Sequence, residues 1–346
     1  MFKYIKYLSP IITFTLAYIS FTHTGIWCWL VVMYSWMFIP IIELFLKGDT
    51  KNMSAAEEEL AKNDKTYDYL LYLVVLIQIP MLFFFLSSFV NAELSTLDII
   101  GRITTMGMLC GIFGINVAHE LGHRNNKFEQ GLAKLSLLTS MYTHFFIEHN
   151  KGHHKNVATP NDPSSARYNE WVYLFYFRTI IFTYISAWHI ANDEVKKKGK
   201  AIFSIYNEMV QLQFMQVVLL VIIFFVFGGT ILLYFFAAAF MGILLLETVN
   251  YIEHYGLQRK QTNENKFERA QPQHSWNSNH AVGRMMLFEL SRHSDHHYLA
   301  SRKYQILQHH DNAPQLPTGY PGSMLLALVP PLWCGIMNKK IKELNQ

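Results

Sequence analysis

Long apolar blocks set the pattern of this chain, with neither the alternation of a half-buried strand nor the one-sided stripe of a surface helix. Six blocks lie near 8–23, 25–46, 69–91, 97–118, 208–227 and 230–253. Each approaches the about 20 apolar residues that a membrane-spanning helix needs. The last two form one stretch interrupted by Gly228 and Gly229. We read a tight turn there, because one helix of that length would need severe tilt. Segment 171–191 is also apolar, but Arg178 interrupts it and the lysine run 196–200 follows it. A helix lying in the membrane interface is expected. The rival is a seventh span, which would send the C-terminal region to the opposite face. The expectation is a single membrane-integral, all-α domain of about six transmembrane helices. Segments 119–207 and 254–346 form its histidine-rich cytoplasmic cap.

Composition agrees. Of 346 residues, 51% are hydrophobic and only 16% are charged, against about 25% charged in a soluble domain. The net charge of +4 is too mild to suggest nucleic acid as a partner. Cys28, Cys110 and Cys334 are scattered and form no CxxC pair. Zinc ribbons, rubredoxin-type iron sites and disulfide frameworks are therefore not expected. The N-terminal stretch resembles a signal peptide in charge and apolar core. It lacks a small-residue cleavage site and runs into a second apolar block, so we read a retained first span. There is no internal repeat and no low-complexity linker.

Charge orients the spans. Lys3 and Lys6 precede the first. Lys47, Lys51, Lys62 and Lys65 fill the connection between the second and third. Arg124, Lys127 and the lysine run follow the fourth, and many more cations follow the sixth. The connections after spans one, three and five carry no Lys or Arg. Both termini are expected in the cytoplasm, with spans four and six leaving the membrane on that same side.

Sixteen histidines are many for this length, and they cluster. "HELGH" carries His119 and His123; "EHNKGHH" carries His149, His153 and His154; "NYIEHYG" carries His254; "RHSDHH" carries His293, His296 and His297. Residues three and four apart share a helix face, so each cluster can offer its imidazoles to one point. Nine imidazoles exceed the three or four ligands of a zinc site. They suit two metals, and imidazole fits iron, copper, nickel and zinc alike. His23, His144 and His189 read as polar residues at helix ends, and His309 and His310 as surface residues. His274 and His280 lie in a polar segment that could approach the site. Metal-bound imidazoles donate their outer N–H to an acceptor. Glu120, Glu148, Glu253 and Asp295 adjoin the clusters, and Glu43 lies near the end of span two. These five are candidate acceptors, with snorkelling to the interface the plain alternative for Glu43.

At these residues the chain resembles the membrane-bound alkane 1-monooxygenases, of the histidine-rich non-haem diiron superfamily that also holds membrane fatty-acid desaturases and xylene monooxygenase. The resemblance rests on the histidine boxes and on "NVATPNDPSSAR", "NYIEHYGL", "HSWNSNH" and "LPTGYPG", from about residue 116 to 322. Two departures fall in the last box: Ser291 where the family usually has Gln, and Tyr298 where it usually has a small residue. The resemblance implies two iron ions held by the nine histidines, dioxygen as oxidant, electrons from rubredoxin, and an n-alkane entering from lipid to leave as a primary alcohol. The setting is a bacterial cytoplasmic membrane. Members of the family limit chain length with bulky residues on the second span, which points to Ser35 or Trp36. Neighbours on a helix face about 100° apart, so the two do not line one narrow channel equally. Gly107, Gly111 and Gly114 line one side of span four. Close helix packing is one reading, and room for an alkyl chain is the other. With no CxxC, the electron donor is a separate protein. Arg124, Lys127, Lys151, Lys155, Arg292, Arg302 and Lys303 would make its docking face positive, or would simply follow the bias of cytoplasmic loops.

Three rival classes remain at this stage. HELGH alone is the HExxH pattern of zinc metalloproteases, but an intramembrane protease leaves seven histidines unexplained. A desaturase, lipid hydroxylase or alkyl-aromatic hydroxylase of the same superfamily differs only in substrate. A metal transporter would string its histidines through the membrane, whereas here they gather at span ends.

Overall fold

A computed structural model describes residues 4–263 and 266–344. Helix accounts for nearly all of its regular structure. The exception among the described residues is a small antiparallel hairpin, Gln261–Asn263 with Lys266–Phe267.

Among the described residues, five helices are long and apolar enough to cross a membrane: Gly25–Phe45, Thr66–Ser87, Thr96–Gly122, Glu208–Phe227 and Gly229–His254. A sixth is obtained if Tyr320–Ala327 and Pro330–Leu344, bent by 119°, count as one broken span. The first expected span is shorter than the sequence suggests. Its α-helix is Pro10–Thr22, 13 residues behind a 3-10 turn at Ile5–Leu8. At about 1.5 Å per residue it falls well short of a hydrocarbon core about 30 Å thick. Conversely, the bent C-terminal pair lies in what the sequence reading assigns to the cap.

Local chemistry sets the ends of these helices. Ser95 and Asp98 form a reciprocal cap ahead of Thr96–Gly122, and Asn207 accepts from Met209 N–H at 3.0 Å to start Glu208–Phe227. Each satisfies a backbone donor that the helix leaves open. Gly228, at φ +84°, makes the turn expected between the last two long helices; that backbone conformation favours glycine. Val172–Lys197 is one continuous helix and, because of its polar content, is not among the five.

The chain divides into two compact units. One comprises the chain up to Ser35 with Thr66–His149 and Tyr184–Leu246; the other comprises Trp36–Lys65, Asn150–Thr183 and the chain from Glu247. In the first unit, glycines bring two spans together. A Cβ on Gly107 would stand 2.7 Å from Met241 Cβ, one on Gly111 2.9 Å from Leu245 Cβ, and one on Gly242 2.7 Å from Cys110 Cβ. Contacts that advance from 107 to 111 on one helix advance from 241 to 245 on the other. The two spans therefore run parallel. Gly114 is enclosed differently, by Thr139 and Gln78. Between these positions Cys110–Ile115 widens to a π-turn, and the Ser136 hydroxyl donates to the Gly114 carbonyl at 2.9 Å. Such insertions are frequent near functional sites, and this one ends one residue before the Asn116–Gly122 segment that carries His119.

Candidate metal centre

In the first unit, His119 lies in the last turns of Thr96–Gly122, His123 follows that helix, and His149 opens the π-turn His149–His153. Nε2 of His149 is 3.2 Å from Nε2 of His123. The His119 ring is centred 4.3 Å from that of His149 and 5.0 Å from that of His123.

In the second unit, His153, His254, His293 and His297 form a buried set whose ligand nitrogens all lie within 4.8 Å of one another. Nε2 of His153 is 3.2 Å from that of His297, and Nε2 of His254 is 3.1 Å from that of His293. His154 and His296 meet Nε2 to Nε2 at 3.0 Å. Nitrogens turned towards a common point at these separations are arranged to share a metal ion. Burial, reinforced by the neighbouring imidazoles, pushes His297 well below the usual histidine range. It therefore stays neutral, the form that binds metal.

The sequence clusters do not each serve one point, as expected; the fold divides them. Along His293–Tyr298, residues 293 and 297 are about 40° apart and share a face, while 296 lies about 100° from 297. His293 and His297 join the set of four, and His296 goes to His154. His153 and His154 also diverge by about 100°.

Carboxylates surround these rings. Asp162 accepts from His153 Nδ1–H at 2.9 Å, from Ser165 Oγ–H at 2.6 Å and from Ser164 N–H at 3.0 Å. Burial works against charge on Asp162, but the facing His153 and the Ser165 hydroxyl outweigh it and hold the carboxyl below its usual range. Sequence reasoning did not single Asp162 out, although the Asp-Pro-Ser-Ser stretch is turn chemistry of the type that buries an acceptor. Glu253 Oε2 lies 3.2 Å from His293 Nε2, and its Oε1 accepts from Tyr320 O–H at 2.6 Å. Tyr320, inside "LPTGYPG", was likewise not singled out.

The other expected acceptors have further partners. Asp295 holds Arg302 at 2.8 Å, His310 at 2.7 Å and Gln308 N–H at 2.9 Å. His310, read as a surface residue, thus partners a buried acid. Glu120 pairs with Arg124 at 2.6 Å, and Ser186 lies 3.5 Å from Glu148. Glu43 is buried and accepts from Gly283 N–H at 2.8 Å, so it does not snorkel to water. Gly319 packs against the same carboxylate, where a Cβ would collide with it.

Of the remaining histidines, His274 has its backbone beside His254. His144 is buried against Tyr142 and Tyr184, and burial lowers it to about 3. His23 and His189 are exposed. His274 faces Glu268 at 3.3 Å, His280 faces Ser278 at 3.0 Å, and His309 faces Asp311 at 3.3 Å.

On the second span, Ser35 is buried and Trp36 half-buried, both in the π-turn Tyr34–Phe38. The glycine faces at Gly107 and Gly111 are filled by Met241 and Leu245. Lys127, Lys151 and Lys155 are exposed and Lys303 is half-buried. Arg124, Arg292 and Arg302 turn inward, Arg292 donating to the carbonyls of Leu307 at 2.7 Å and Lys51 at 2.9 Å.

Comparison with known proteins adds an independent line. The fatty acid desaturase family matches residues 99–323. Alkane 1-monooxygenase 2 of Alcanivorax borkumensis is 35% identical over 91% of this chain and 83% of its own length. The alkane 1-monooxygenase of Acinetobacter baylyi is 38% identical over 88% of this chain and 74% of its own. The xylene/toluene monooxygenase hydroxylase component XylM of Pseudomonas putida is 26% identical over 98% of this chain and 89% of its own.

Proposed function

Because this chain belongs to the alkane 1-monooxygenase family, we propose that it hydroxylates the terminal methyl of n-alkanes drawn from the bilayer. In balance, R–CH3, O2, two electrons and two protons become R–CH2OH and water. The observation that supports this best is the buried set of four imidazoles with its nitrogens turned inward, accompanied by five more histidines. Nine imidazoles suit two irons, one of them taken by His153, His254, His293 and His297.

A terminal methyl has no acidic proton and no polarised bond, so no side chain here can attack it as base or nucleophile. Bound reduced iron supplies the activation of dioxygen that such a bond demands. The chain's own residues hold and orient. Asp162 keeps the Nδ1 proton of His153 in place, which leaves Nε2 free as a ligand. Glu253, fixed by Tyr320, sets a carboxyl oxygen beside His293. Apolar spans keep water away and admit a substrate already dissolved in lipid. Rubredoxin is the proposed electron donor, docking on a cationic face that includes Lys151 and Lys155. The alternation of Lys and Arg along the connections supports a bacterial cytoplasmic membrane with the site and both termini inside.

The similarity to XylM and the desaturase match keep one second reading, an alkyl-aromatic or acyl-chain substrate. A zinc protease built on His119 and His123 would give no role to the buried set of four.

The test is anaerobic reconstitution with ferrous iron, then reduction and oxygen with mixed-length n-alkanes, with products identified by mass. Primary alcohols and two irons per chain are expected, and His254→Ala should lose metal and turnover together. One zinc per chain, or unsaturated acyl products, would overturn the reading. Full iron in His254→Ala would remove His254 from the ligands.

A further inference from the structure

Arg178 is the residue that breaks an otherwise apolar segment, and nothing so far gives it a task. A cation that only anchors a helix at a membrane surface extends into water or headgroups. Arg178 instead turns inward, with 15% of its side chain exposed. Its Nε donates to Glu170 Oε1 and its Nη2 to Glu170 Oε2, both at 2.7 Å. The rest of the fork reaches two backbone carbonyls, Pro163 O from Nη1 at 2.8 Å and Ser165 O from Nη2 at 3.0 Å. Glu170 also accepts from Arg167 N–H at 2.8 Å. Those two carbonyls belong to the turn that presents Asp162.

The turn is held on its other side as well. Ser165 Oγ donates to Asp162 and accepts from Ala158 N–H at 2.8 Å. Ala158 has a left-handed backbone at φ +55°, uncommon for a residue other than glycine, and its carbonyl accepts from Arg259 N–H at 2.8 Å. A path of direct hydrogen bonds therefore runs from the guanidinium, through Ser165, to Asp162 and on to Nδ1 of His153.

We propose that Arg178 is a positioning residue for the metal centre, clamping the 162–165 turn so that Asp162 holds His153 towards the metal. This rests on the reading that the buried set of four takes a metal. A planar five-donor fork suits two carbonyls and one carboxylate at once; a lysine ammonium supplies charge but not that geometry. Arg178→Lys should therefore keep the fold and lose the clamp.

The experiment titrates cobalt(II), as an optical probe, into the metal-depleted full-length protein in detergent. Arg178→Lys, Ser165→Ala, Asp162→Asn and the Arg178→Lys/Asp162→Asn double variant are compared with wild type, alongside thermal unfolding without metal. We expect two cobalt ions in wild type. In each single variant one of the two should bind about tenfold to a hundredfold more weakly while the other keeps its wild-type affinity. The double variant should be no worse than Asp162→Asn, because both changes cut one path. Wild-type cobalt binding in Arg178→Lys and Ser165→Ala would overturn the proposal while leaving the metal reading intact. So would an additive double variant, or equal weakening of both ions together with earlier unfolding. A wild-type protein that takes fewer than two cobalt ions would remove the metal reading and the proposal together.

Discussion

Tyr320 donates its phenol proton to Glu253 at 2.6 Å, and the other oxygen of that carboxylate lies 3.2 Å from Nε2 of His293. The "LPTGYPG" stretch thereby serves two buried acids, Glu253 through Tyr320 and Glu43 through the bare backbone of Gly319. Leaving a buried acceptor without its donor costs about 1–3 kcal/mol. Tyr320→Phe should therefore lower the unfolding temperature in detergent and reduce iron per chain, with little change in overall shape of the side chain. Iron content and unfolding equal to wild type would show that the phenol does not fix Glu253.

The glycine face of Thr96–Gly122 should prove to be packing. Gly107→Ala would bring a Cβ to 2.7 Å from Met241 Cβ and 3.0 Å from the Ala238 carbonyl. A forced contact of that kind costs about 1–3 kcal/mol. Earlier thermal unfolding with an unchanged product profile is the expected result. Unchanged stability with a shifted alkane preference would instead make this face part of the substrate path.

Ser35 is buried and its neighbour Trp36 only partly so. If the second span measures the substrate, Ser35→Trp should shorten the preferred alkane while sparing iron, and Trp36→Ser should do little. Product profiles across a mixed alkane series decide this. The reverse outcome would assign the measuring role to Trp36, and identical profiles would remove this stretch of the span from substrate selection.

Lys151 and Lys155 are exposed beside the second histidine box. If they belong to a docking face, turnover at limiting acidic donor should fall as salt rises. The Lys151→Glu/Lys155→Glu variant should fall several-fold at low salt and lose most of that salt dependence. Turnover indifferent to both treatments would leave these lysines as ordinary cations of a cytoplasmic loop.

The long apolar helices, the turn at Gly228 and the nine clustered histidines were all legible in the chain. Each depends on local chemistry: a run of apolar residues, a backbone conformation that favours glycine, and a repeat matched to the helical turn. The family was legible for the same reason, because its marks lie in short contiguous stretches. What local pattern could not settle was partnership. Asp295 stands within a histidine box yet goes to Arg302 and His310, while Asp162, eight residues beyond the nearest box histidine, holds His153.

Sequence by itself determined the helical membrane class and which imidazoles are available, since hydropathy and residue type act without knowledge of neighbours. Only the tertiary structure decided how those imidazoles are shared. The 100° step between adjacent helical residues sends His153 and His154, and likewise His296 and His297, to different partners. The same holds for Arg178. In sequence it is a charge interrupting an apolar segment; its inward turn follows from a carboxylate and two carbonyls that chain folding brings within reach of one planar fork. A hydrogen bond is fixed by distance and direction in space, and spacing along the chain carries neither.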